Sequence, residues 1–117
     1  MYSFKLSGWQ ESVQREFRKL FDQRETALAT LFCEGRVFKA HPRILYANSD
    51  LGREIIVSHG SRHPFSLMIE YCEADILFQV LEVLYGFVVK LQCESEANKL
   101  RFVLEKLNVE FWEGSDL

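Results

Sequence analysis

Over the first six positions Tyr2, Phe4 and Leu6 fall on one side and Ser3 and Lys5 on the other, the two-residue period of a half-buried strand. Gly8 ends it. Trp9, Val13, Phe17, Leu20 and Phe21 then recur at helical spacing between polar residues, predicting an amphipathic helix over residues 9–23 with a heavy apolar stripe. Residues 27–33 and 36–39 read as two strands joined at Glu34-Gly35, where the glycine can supply a positive φ. A short helix follows over residues 41–48, with Pro42 in its first turn where a missing N–H does least harm, and a second over 50–57. Pro64 opens an alternating strand over 65–70. Ala74, Leu77, Phe78, Leu81, Leu84 and Tyr85 define a strongly apolar helix over 73–85, which Gly86 ends in a left-handed cap. Residues 87–91 predict a β-branched and aromatic strand, 95–107 a last helix, and 113–117 a frayed exit. Strands and helices interleave, so the class is α+β. No repeat, low-complexity run or Pro/Gly/Ser-rich linker divides the chain, which makes residues 1–117 a single domain.

Composition changes this picture in three respects. At 117 residues one core is expected, able to bury about 65–70% of the unfolded surface. The 14% aromatic share, with ten Phe, is high for that length, so some of it is expected to await a partner. A net charge of -3 removes any general attraction to phosphates, so direct nucleic-acid contact by this domain is not expected. Cys33, Cys72 and Cys93 are odd in number and widely spaced, which argues against a disulfide framework and for three small buried hydrophobes in a reducing compartment. No apolar run reaches the ~20 residues of a membrane span, and the apolar start is too short for a secretory signal; a cytosolic or nuclear protein is expected.

Catalytic and metal chemistry find little footing. His59 and His63 have a spacing that would suit a metal on a helix, but Gly60, Ser61 and Pro64 point to a loop and no cysteine pair completes a site. Any of the cysteines with His41 would make a nucleophile and base lacking a third orienting group. Glu70, Glu73 and Asp75 cluster where a helix N-terminus favours negative charge. There is no Gly-rich phosphate loop. No catalytic, metal or cofactor residue is therefore assigned.

The run Glu34-Gly35-Arg36-Val37-Phe38-Lys39-Ala40-His41, followed by Ile44-Leu45, resembles the hairpin-to-helix signature of BTB (POZ) domains. The resemblance continues through Ile56-Val57-Ser58-His59, His63-Pro64 and Val83-Leu84-Tyr85-Gly86, in order and over nearly the whole chain. The opening Tyr2-Ser3-Phe4-Lys5-Leu6 and the Val57-Ser58-His59 phrase are similar to the tramtrack group of insect BTB zinc-finger transcription regulators. The resemblance implies the BTB/POZ fold, a helical cluster flanked by a short mixed β-sheet, as the N-terminal domain of a longer, nuclear protein. It also implies a homodimer in which the N-terminal strand is exchanged and the first helices pack across a two-fold axis. A lone edge strand with no neighbour in sequence agrees with that, because its backbone groups need a partner. The expected interface comprises Tyr2, Phe4, Leu6, Trp9, Val13, Phe17, Tyr46, Ala47, Phe87, Val88, Val89, Lys90 and Leu91, in a dimer of the class that buries about 2,000 Å² or more.

The chain also departs from the family. Leu28 and Pro42 stand where many BTB domains carry a buried charge pair, and Ser49-Asp50-Leu51-Gly52 replaces the usual Ser-Pro-Tyr-Phe segment; carried-over corepressor binding is in doubt for that reason. Two functions are expected from the resemblance. The first is a self-association module multimerising a transcription or chromatin regulator, with other BTB domains or chromatin proteins as further partners and assembly beyond the dimer through the strand at 87–91. The second is an adaptor of a cullin-type ubiquitin ligase, with Leu67-Met68-Ile69-Glu70 as its contact region.

Overall fold

The computed structural model describes residues 1–59 and 65–115. Strand β1 (Tyr2–Leu6) forms as its alternation predicts, with Phe4 and Leu6 inward and Lys5 outward. Gly8, at φ +88°, turns the chain into helix α1 (Glu11–Phe21). A single 3-10 turn at Arg24–Thr26, absent from the periodicity reading, leads to the hairpin of β2 (Ala29–Cys33) and β3 (Arg36–Ala40). At its tip both Glu34 (φ 51°) and Gly35 (φ 76°) have positive φ, the combination whose twist matches that of the flanking strands.

Helix α2 (Pro42–Asn48) begins on Pro42, and α3 (Asp50–His59) follows after one residue. That residue, Ser49, accepts a hydrogen bond from the Gly52 N–H at 2.9 Å and donates one to the Leu107 carbonyl at 2.7 Å. A Cβ on Gly52 would lie 2.9 Å from the Leu45 carbonyl oxygen, so the missing side chain is what lets α3 fold back tightly on α2. Strand β4 (Phe65–Met68), helix α4 (Ala74–Leu84), strand β5 (Val89–Leu91), helix α5 (Glu94–Lys106) and strand β6 (Phe111–Ser115) complete the order.

The strands form two three-stranded sheets, β5-β1-β6 and β3-β2-β4. The first is antiparallel throughout; in the second, β2 pairs antiparallel with β3 and parallel with β4. Between them runs α4, whose Ile76, Leu77, Val80, Leu81, Val83 and Leu84 are all buried. It packs on α2, α5, β1 and β3, and each side chain of this size contributes roughly 1.5–3 kcal/mol on burial. The helix ends as its Gly86 predicts: Gly86, at φ +90°, donates to the Val83 carbonyl at 3.0 Å and Phe87 to the Glu82 carbonyl at 2.9 Å, the paired bonds of a Schellman cap.

Three expectations change. β1 does not lack a partner in its own chain: it is the central strand of its sheet, hydrogen-bonded to β5 through Phe4↔Val89 and to β6 through Phe4↔Glu113. Residues 113–115 of the segment expected as a frayed exit belong to β6, in register along all of β1 from Tyr2↔Ser115 to Leu6↔Phe111, while residues 116–117 lie outside the described residues. The β6 sequence Phe111-Trp112-Glu113-Gly114-Ser115 carries no apolar–polar alternation, and its partner lies at the opposite end of the chain. The strand expected over 87–91 shortens to Val89–Leu91, because Phe87 is still held by the helix cap.

Candidate self-association surface

Helix α1 separates apolar from polar residues sharply, yet none of its residues is fully buried. Phe17, Leu20 and Phe21 lie half-covered on the core. Phe21 is the anchor, its ring edge-on to Phe78, Tyr85 and Phe87 at centroid distances of 6.0, 5.3 and 5.1 Å, the T-shaped geometry that aromatic quadrupoles favour. Arg18 donates to the Gly86 carbonyl at 3.0 Å and pairs with Glu11. A Cβ on Gly86 would stand 2.9 Å from the Gln14 carbonyl oxygen, so the α4 cap and the α1 backbone touch.

At the entrance to α1, the Trp9 indole N–H donates to Asn48 Oδ1 at 2.7 Å, and Asn48 Nδ2 in turn donates to the Leu84 carbonyl at 2.9 Å. The buried amide is thus satisfied on both sides. The Trp9 ring stands edge-on to Phe17 at 5.4 Å. Even so, Trp9 remains 40% exposed and Tyr46 46%. Trp9, Ala47 and Arg53 share the wall of a cavity of about 270 Å³, and the Arg53 guanidinium sits 5.3 Å from the Tyr46 ring. The Trp9–Asn48 bond thus sets Trp9 and its neighbour Phe17 of α1 beside α2, which carries Ala47 and Tyr46, with their apolar surface held in place and left partly uncovered; Val13, on α1, is half-buried. The flanking Lys19–Glu16 and Arg53–Asp50 pairs are exposed and add little stability.

The other expected interface residues separate from this group. Phe4 (0% exposed) and Leu6 (2%) fill the chain's own core, as do Val89 and Leu91, because β1 lies against α4. Tyr2 and Phe87 are half-buried beside it, while Val88 and Lys90 face outward. In the second sheet Leu67 is half-buried, Ile69 buried, and Met68 and Glu70 exposed. Leu28 is exposed and Pro42 half-buried, so neither position supplies a buried charge. Asn48, Arg18 and Gly86 escaped the sequence reading as positioning residues; only Gly86, through its cap signal, carried a legible cue.

His41 and Tyr85 meet at the base of the hairpin. The Tyr85 hydroxyl accepts from the His41 backbone N–H at 2.9 Å and lies 2.7 Å from its Nδ1. Burial, followed by the positive charges of Arg43 and Arg24, holds the His41 pKa below its ordinary value, and burial raises that of Tyr85. His41 is engaged there rather than beside a cysteine. The expected carboxylate cluster at the start of α4 is resolved into partners: Lys99 bonds Glu73 at 2.7 Å, Arg36 bonds Asp75 at 2.9 Å, and the Ala74 N–H donates to Glu34. The His59–His63 spacing cannot be followed, since residues 60–64 and the His59 side chain lie outside the described residues. Among the described residues no group of three His, Cys, Asp or Glu is placed to hold a metal, and no helix is long and apolar enough to cross a membrane.

Comparison with known proteins identifies the family and the fold. The BTB/POZ domain model matches residues 17–113. The Broad-complex core protein of Drosophila melanogaster is 29% identical over 108 residues, covering 92% of this chain and 14% of that protein. Protein abrupt of the same fly is 28% identical over 93 residues, covering 80% of this chain and 10% of that protein. The chain thus spans only a small part of the length of these relatives. Among solved structures, the BTB domain of human gigaxonin superposes with a TM-score of 0.71 at 18% identity, covering 86% of this chain and 84% of that one. The BTB domain of zebrafish PATZ1 gives 0.65 at 19%, covering 87% and 86%; at these identities the likeness is one of fold. With a family model matching residues 17–113, the chain belongs to the BTB/POZ family of protein–protein interaction domains.

Proposed function

We propose that this domain joins copies of its own chain into a homodimer, and so multimerises a nuclear transcription or chromatin regulator. The observation that carries this reading is α1 and its entrance: Trp9 precedes the helix, Val13 and Phe17 lie on it, none of the helix residues is fully buried, and Trp9 and the nearby α2 residue Tyr46 stay exposed. Packing two such faces about a two-fold axis removes the apolar surface that each leaves open. The two insect relatives support a regulator by kinship, and dimerisation raises the effective concentration of any reader attached to it.

Strand exchange extends the same proposal. β1 makes its bonds to β5 and β6 through identical pairs whether they belong to its own chain or to a second copy, so the sheet favours neither arrangement. The balance falls to the link at residues 7–10, since the α1 face is covered in a dimer with or without exchange. Multi-angle light scattering tests the dimer: the chain is expected at twice 13.7 kDa, and Val13→Glu at the single-chain mass with its circular dichroism retained. A wild-type chain that stays monomeric overturns the proposal.

A further inference from the structure

Two of the three cysteines, 39 residues apart in sequence, meet at the end of the second sheet: Cys33 Sγ lies 4.0 Å from Cys72 Sγ and donates to the Cys72 carbonyl at 3.1 Å. We propose that Cys33 and Cys72 are a reversible disulfide site, oxidised by a small-molecule disulfide admitted through a cavity that both side chains line. That cavity measures about 430 Å³ and is bounded by Phe32, Cys33, Met68, Ile69 and Cys72 among others, within the size range of small-ligand pockets. Cys33 is fixed at the end of β2, whereas Cys72 is half-buried in the irregular link 69–73 that enters α4. The link is therefore the part that moves. Closing 4.0 Å to the ~2.05 Å of a disulfide asks for a shift of about 2 Å.

Chemically, the Cys72 thiolate attacks one sulfur of glutathione disulfide and expels a glutathione thiolate. The Cys33 thiolate then attacks Cys72 Sγ and expels the second glutathione. The two protein thiols lose two protons and two electrons, and one disulfide is reduced to two thiols. Burial pushes the Cys72 thiol up to about 12, with Cys33, Glu34 and Glu73 adding to the effect. Cys72 is thus a thiol that exchanges slowly at neutral pH, so equilibrium rather than rate is the quantity to measure. Since Glu34 accepts from the Ala74 N–H, the bridge would clamp the hairpin tip to the start of α4 at a point already in contact.

The test equilibrates the native chain with reduced and oxidised glutathione at graded ratios, quenches the thiols by alkylation and maps tryptic peptides without reductant. The expected product joins peptide 25–36 to peptide 63–90, stays at the single-chain mass on a non-reducing gel, persists in Cys93→Ser and is reversed by dithiothreitol. Its thermal midpoint is expected to rise by roughly 5–15 °C. Any of three results overturns the proposal: both cysteines still alkylated at the most oxidising ratio, only mixed glutathione adducts, or bridging through the 91–99 peptide of Cys93 alone. The three overturning results are read on the unmutated chain, so they do not depend on the Cys93→Ser variant folding, and they are independent of whether the chain dimerises.

Discussion

His41 and Tyr85 are joined twice, through a 2.9 Å bond from the His41 backbone N–H to the phenolic oxygen and a 2.7 Å contact from that oxygen to Nδ1. One residue closes the β3-to-α2 corner and the other ends α4, so the contact ties the signature hairpin to the central helix. Tyr85→Phe keeps the ring and its edge contact with Phe21 but leaves the His41 N–H without its partner. A loss of about 1–3 kcal/mol is expected in urea unfolding, with the fold retained. A loss below a few tenths of a kcal/mol would show that water replaces the hydroxyl freely.

The same pair sets a pH dependence. Because the folded pKa of His41 lies below the ordinary value of 6.5, the unfolded chain binds the proton more readily, and stability falls as pH drops through the unfolded value toward the folded one. Above about pH 7.5 the His41 contribution is complete. Unfolding measured from pH 7.5 to 5 is expected to show this decline, and His41→Asn to flatten it. An unchanged slope in the variant would assign the decline to other groups.

Gly86→Ala tests the contact between the α4 cap and α1. At φ +90° the alanine is strained, and its Cβ would meet the Gln14 carbonyl at 2.9 Å; a loss of more than 1 kcal/mol is expected. Since α1 must shift to relieve the clash, self-association is expected to weaken in the same variant. Stability falling with association untouched would uncouple α1 from the dimer.

Exchange of β1 has a covalent readout. Ser3 and Lys90 are paired across β1 and β5, so Ser3→Cys/Lys90→Cys in a Cys93→Ser background forms a disulfide wherever that pairing occurs. Exchange predicts a covalent dimer on a non-reducing gel. A cross-linked single chain would mean that β1 stays at home, with dimerisation resting on the α1 face alone.

Phe4→Ala shows how far β1 now serves the core. Deleting a fully buried ring is expected to cost about 3–5 kcal/mol whatever the oligomeric state. Removing residues 1–7 thus tests stability before it tests assembly, and surface changes on α1 are the cleaner probe.

Much of this fold was legible because periodicity is local. The alternation of Tyr2, Phe4 and Leu6, the apolar run of α4 and the cap at Gly86 each sit within one element, and each formed as read. What escaped depends on residues distant in the chain. β6 was missed because five residues containing Glu113 and Gly114 gain strand character only from β1, and β1 seemed unpaired because its neighbours lie 85 residues or more away. For the same reason Cys33 and Cys72 read as separate small hydrophobes: their approach is created by the parallel pairing of β2 with β4. In the surface itself, Trp9, Val13 and Phe17 were visible as a stripe. The amide of Asn48 that fixes Trp9 had no pattern to betray it.

The central claim is self-association through α1, and the mass of the chain in solution measures it most directly. Light scattering over a hundredfold range of concentration is predicted to give twice 13.7 kDa for the wild-type chain and the single-chain mass for a folded Val13→Glu variant. A wild-type mass of 13.7 kDa throughout that range, or a Val13→Glu chain that remains dimeric, would contradict it.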